Sequence, residues 1–128
     1  GLAEYFTEQL KNGRLAQVNA MASDRPQRLA TLLAIAADPD TELTVRIGIS
    51  AVLENMAGSP ELIEQLPRLQ QLAASVDPRV RADACHFLAL TEHADALATL
   101  ETLARDSERS VREVATDALA DLRNGLQP

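Results

Sequence analysis

Apolar residues recur along this chain at intervals of three and four. Counting from a valine, positions 0, 4, 7 and 8 read Val45, Ile49, Val52, Leu53; then Val80, Ala84, Phe87, Leu88; then Val111, Ala115, Ala118, Leu119. At about 100° per residue each set falls on one narrow helical stripe. Nowhere do β-branched residues alternate with polar ones over a useful length, so no strand competes. The pattern predicts helices near 2–11, 14–22, 26–37, 42–57, 60–75, 78–90, 94–105 and 108–123.

The punctuation agrees. Asp77-Pro78 and Ser59-Pro60 each offer an N-cap acceptor followed by a proline at the first helical position, where its missing N–H costs nothing. Gly58 and Asn124-Gly125 stand where helices should stop, and Asn12-Gly13 either divides the first two or bends a single helix. Pro67 lies inside 60–75 and should kink or split that helix, because it removes a donor and clashes with the preceding turn.

The chain also repeats itself. "VRIGISAVL" from Val45, "VRADACHFL" from Val80 and "VREVATDAL" from Val111 align without gaps, starting 35 and 31 residues apart. "LATLLAIAADP" from Leu29 matches "LATLETLARDS" from Leu97. The unit is a Val-Arg helix, a turn, a Leu-rich helix and an acidic turn. Two short helices in such a period mark an α-solenoid. The reading is a single all-α domain over 1–128: a divergent N-terminal cap over 1–25, repeats over 26–123 and a tail over 124–128. The start at Gly-Leu rather than Met fits either an added residue or a domain cut from a longer protein.

Composition narrows the function classes. Aromatic residues make up only 2% of the chain, so the core must come from helices packed closely over Ala and Leu. The net charge of −7 opposes general nucleic-acid binding, which needs cations to displace phosphate counterions, and opposes anionic membrane surfaces. A lone cysteine excludes an internal disulfide, and no Cys/His set has zinc spacing. No apolar run spans a membrane and no signal peptide is present, so the cytoplasm is expected. No cofactor is called for.

Cys85-His86 is the one pair that resembles a nucleophile with its base. Adjacent helical residues diverge by about 100°, so the two do not face each other. Position 5 of the repeat holds Ser50, Cys85 and Thr116, a small-residue packing slot. Position 6 holds Ala51, His86 and Asp117, away from the stripe. His93 falls in a turn without a second ligand. No catalytic constellation is present, and the chain is read as a non-enzyme.

Position 1 is always arginine: Arg46, Arg81 and Arg112. Each has an acid four residues earlier, at Glu42, Asp77 and Glu108. On an exposed helix such a pair contributes about 0.2–0.5 kcal/mol. The stronger expectation is a ladder, in which each guanidinium ties an acidic turn to its neighbour by bidentate bonds. Leu43 and Ile47 form a second apolar stripe, expected to meet the preceding repeat. Glu113, Asp117 and Asp121 give the last helix the polar face of a cap. Leu2, Tyr5, Phe6 and Leu10 are expected either to close the N-terminal end or to continue into a further domain, with the face around Tyr5 and Phe6 available for weak dimerisation.

These units resemble HEAT repeats, specifically the short HEAT-like repeats first named from phycocyanobilin lyases. The resemblance rests on Asp77-Pro78-x-Val80-Arg81-x-x-Ala84-Cys85-x-Phe87-Leu88, on Val111-Arg112-x-x-Ala115-Thr116-x-Ala118-Leu119, and on Leu97-x-x-Leu100-x-x-Leu103 with Asp106. It implies a right-handed superhelix of three to four helical hairpins, with Val-Arg helices outside and Leu-rich helices inside. It also implies a protein-binding scaffold. The expected partner-binding surface is the inner row Gln27, Thr31, Glu64, Arg68, Gln71, Asp95, Thr99 and Thr102, which suits a polar or basic peptide. The chain itself is expected to be a monomer or weak dimer. Two alternatives follow from the same resemblance. An auxiliary lyase or isomerase acting on a bilin lacks its acid, base and orienting group here. A base-excising nucleic-acid protein lacks the cationic groove and stacking rings.

Overall fold

The computed structural model describes all residues from Gly1 to Pro128, as nine α-helices and one 3₁₀ turn. The helices are α1 (Leu2–Lys11), α2 (Leu15–Asp24), α3 (Gln27–Ala37), α4 (Leu43–Glu54), α5 (Pro60–Ile63), α6 (Leu66–Ala73), α7 (Pro78–Leu90), α8 (Leu97–Leu103) and α9 (Arg109–Leu126), with the 3₁₀ turn at Ala94–Ala96. Local chemistry sets their starts. Ser59 Oγ accepts the Leu62 N–H at 3.2 Å, and Asp77 Oδ1 accepts the Arg79 N–H at 2.8 Å, each ahead of a proline. Gly13 and Gly58 take φ of +72° and +73°, the left-handed region glycine enters without steric cost. Pro67 splits the segment, so that α5 ends before Glu64-Gln65 and α6 restarts with the proline in its first turn. Asn124-Gly125 does not end α9, which runs on to Leu126. A glycine within a last helical turn costs only about 1 kcal/mol.

Two layers result. The Val-Arg helices α4, α7 and α9 follow one another in order, with α1 packed ahead of α4; the Leu-rich helices α3, α6 and α8 line up beside them. This is an α-solenoid. One hydrophobic cluster of 32 residues runs without interruption from Phe6 to Leu122. Val80 and Val111 are fully inside it, as are Val45, Ile49 and Leu53. Each hairpin lends its stripe to the next, and no hairpin closes a core alone.

The two edges of the stack differ. Connections from the Val-Arg layer to the Leu-rich layer carry extra elements, namely α2, α5 and the 3₁₀ turn. They interlock, the Gly58 N–H donating to the Leu90 carbonyl at 2.8 Å. Connections in the other direction are short acidic turns at 38–42, 74–77 and 104–108.

One expectation fails in this layer. Leu43 and Ile47 are 68% and 60% exposed and meet no preceding repeat. They project from the side of α4 opposite its buried stripe, away from both neighbours. The approach to α1 is made instead by Gly48, where an added Cβ would stand 2.9 Å from Leu10 Cδ2.

Candidate partner-binding surface

The outward side of the Leu-rich layer holds two grooves, one on each side of α6. The first lies between α3 and α6, with a volume of about 350 Å³. Its lining follows from helical phase. Ala30, Ala34 and Ala37 come at i, i+4 and i+7 along α3, and their small side chains leave the space open. Leu33, Leu72 and Val80 are buried residues that form its floor. Arg68, Gln71 and Ser75 supply the polar rim, and Arg68 is the only charged side chain lining it. The second groove, about 330 Å³, lies between α6 and α8 and takes in Gln70, Ala74, Thr99 and Thr102.

The predicted row is therefore divided. Arg68 and Gln71 line the first groove, and Thr99 and Thr102 the second. Gln27, Thr31, Glu64 and Asp95 line neither. Glu64 is displaced because the break ahead of Pro67 takes it off α6 and makes it the C-cap that follows α5. Asp95 sits in the 3₁₀ turn, where its N–H donates to His93 Nδ1 at 3.0 Å, rather than on α8. The alanines of α3 were missed. Their signal was present in the sequence as three small residues on the face opposite Leu29 and Leu32.

Two of the three arginines, Arg46 and Arg81, bridge neighbouring repeats, to acids other than those four residues earlier; Arg112 meets only a backbone carbonyl of the turn before its own helix, so the ladder stops there. Arg81 donates from Nε to Asp106 Oδ1 and from Nη2 to Asp106 Oδ2, both at 2.9 Å, and from Nη1 to the Ser75 carbonyl at 2.9 Å. Arg46 reaches Asp83 on α7 at 3.0 and 2.7 Å and the Arg79 carbonyl at 3.1 Å. Arg112 donates to the Asp106 carbonyl at 2.8 Å. Glu42, Asp77 and Glu108 pair with none of the three, because each is an N-cap with ψ of 148°, 121° and 128°. An i, i+4 pair needs both residues on the helical cylinder. Glu42 instead meets Lys11 at 3.4 Å, and Asp77 binds Arg79 at 2.8 Å. Hydrogen bonds from the Arg81 guanidinium hold the Asp106 carboxyl below its ordinary value of 3.8. Those from the Arg79 side chain and backbone N–H take Asp77 down to about 2.

Cys85 and His86 point to different neighbours. Cys85 is fully buried, and burial, with the Asp106 charge second, pushes its thiol up to about 12, far from a nucleophile. His86 is half-buried, its Nε2 lying 3.2 Å from Glu54 on α4. No group of three or more His, Cys, Asp or Glu side chains is arranged to hold a metal ion. No helix is long and apolar enough to cross a membrane.

The sequence family described as HEAT repeats matches residues 29–120, more than two thirds of the 128-residue chain. Comparison with curated proteins and with solved structures returned no match.

Proposed function

This chain belongs to the HEAT-repeat family, and from that premise we propose that it is a non-catalytic binding module whose partner protein docks on the Leu-rich layer. HEAT repeats generally mediate protein–protein interaction. The observation that carries the reading is the α3–α6 groove. It has an apolar floor of Leu33, Leu72 and Val80, a wall of alanines, and a rim of Arg68, Gln71 and Ser75. Such a site anchors one apolar side chain and orients its neighbours through a few polar contacts. Thr99 and Thr102, across α6, extend the same surface. The net charge of −7 and the burial of the lone thiol suit a cytoplasmic protein that avoids nucleic acid.

The test is selection of random dodecapeptides on the folded protein, followed by amide-shift mapping of a selected sequence. Enriched peptides should carry an apolar anchor and shift residues of α3 and α6. Ala37→Glu and Arg68→Glu should weaken them at least about tenfold, while Glu64→Lys, outside the groove, should act only through salt-dependent steering. Selected peptides that map elsewhere, or that bind both groove variants like the parent, would sink the proposal.

A further inference from the structure

The three turns that return from the Leu-rich layer share one geometry. In each, a side-chain oxygen accepts the backbone N–H two residues on: Asp38 from Asp40 at 2.9 Å, Ser75 from Asp77 at 3.2 Å, and Asp106 from Glu108 at 2.9 Å. They differ in the guanidinium they receive from the preceding Val-Arg position. Asp106 takes Arg81 through two parallel bonds. Ser75 has no charge to offer, so Arg46 takes Asp83 on α7 instead. Asp38 has the carboxylate, yet no guanidinium pairs with it; Arg79 reaches the same turn but donates to the Pro39 carbonyl at 3.3 Å.

The reason lies in α1. Its inward residues Leu2, Phe6, Gln9 and Leu10 have the same spacing as Val45, Ile49, Val52 and Leu53. That register puts Ala3 where Arg46, Arg81 and Arg112 stand. The same count puts Thr7 in the small-residue slot held elsewhere by Ser50, Cys85 and Thr116. Where a long cation crosses elsewhere in the stack, α1 offers a methyl group.

The missing side chain leaves a cleft of about 590 Å³ between α1 and the 38–42 turn. Ala3, Ala34, Ile35 and Val45 supply its apolar lining. Glu4, Glu8, Asp38, Asp40 and Glu42 line it with one cation, Lys11, which reaches Glu42 at 3.4 Å; the Gly1 ammonium meets Glu4 at 3.0 Å, and neither cation pairs with Asp38. Acidity alone does not identify the occupant. The Asp106 turn does, because the same turn within this molecule holds a guanidinium.

We propose that this cleft is an arginine-recognition site, in which a guanidinium from a partner protein occupies the rung left vacant by Ala3 and pairs with Asp38. The apolar lining takes the methylene stem, and the carboxylate takes the fork. Lysine, a point charge with a different donor geometry, fits less well. The site lies on the acidic-turn edge and does not rest on the groove reading above.

The experiment titrates isotope-labelled protein at low salt with acetyl-Gly-Gly-Arg-Gly-Gly-amide and with its lysine and citrulline counterparts, following backbone amide shifts. Saturable shifts should be confined to residues 3–11 and 38–42, be about fivefold weaker with lysine and vanish with citrulline. Asp38→Asn should lower affinity at least about tenfold. Ala3→Arg should refill the rung, raise Tm and abolish binding; Ala3→Met, which fills the space without charge, should also block it. Arg68→Glu should leave the titration unchanged, so failure of the groove and failure of this site are separable. Equal shifts with citrulline, parent-like binding by Asp38→Asn or Ala3→Met, or no saturation by about 10 mM peptide would overturn the proposal.

Discussion

The junction of α7 with α9 and the junction of α1 with α4 are built on the same plan and finished differently. At the first, Phe87 and Leu88 fill the interior, Cys85 takes the small slot, and Arg81 spans to Asp106 with both partners almost covered, 13% and 11% exposed. At the second, Phe6 and Leu10 fill the interior and Gly48 admits α1 closely, but the arginine is an alanine and the rim is open. The apolar stripe is therefore enough to stack a repeat. The polar rung is an addition that can be left out, and leaving it out converts a structural contact into a cleft.

That contrast can be broken at several points. Cys85, beneath the closed junction, should react with a thiol reagent at pH 8 at least about a thousandfold more slowly than a free cysteine, because only unfolding exposes it. Stopped mixing with and without urea measures this. Prompt labelling would mean that α7 and α9 separate readily. Arg81→Ala strands a nearly covered Asp106 and the Ser75 carbonyl, and should cost about 2–3 kcal/mol in urea unfolding. Arg46→Ala, whose Asp83 partner is more exposed, should cost about 1–2 kcal/mol. At the open junction, Gly48→Val drives a branched side chain into Leu10 and should cost about 1–3 kcal/mol.

Acid sharpens the comparison further. Asp77 and Asp106 are both held below 3.8 in the folded state, Asp77 at about 2. Each therefore contributes stability that is present above pH 3.8 and is lost as pH falls toward the folded value. Unfolding curves should hold steady down to about pH 4 and then decline, and Asp106→Asn should flatten part of that decline. The smallest effect belongs to Glu42→Ala. Its pair with Lys11 is long and exposed, and its removal should change stability by less than about 0.5 kcal/mol.

The places where sequence reasoning went astray share a cause. Glu42, Asp77 and Glu108 had the right spacing for helical pairs and the wrong backbone, since caps lie off the cylinder. Leu43 and Ile47 had the right polarity for a buried stripe and the wrong azimuth, since α1 approaches at Gly48. Spacing places Glu64 on one helix with Arg68 and Gln71, and the break ahead of Pro67 separates it from them. The grooves are half readable: helical phase puts Arg68, Gln71, Thr99 and Thr102 on the outward side, where they line the grooves, while the alanines that open the first groove carry no polar signal.

What the residues determined on their own is whatever depends on neighbours a turn away. The helices, their proline-led caps, the two left-handed glycines and the buried valine stripe all follow from spacings of three and four and from backbone donors that must be satisfied nearby. Only the tertiary structure decided which partner each arginine takes, which hydrophobic residues stay in solvent, and that Ala3 marks a vacant rung. A guanidinium spans the gap between repeats, and the partner waiting there depends on how one helix is rotated and slid against the next, a quantity no local spacing contains.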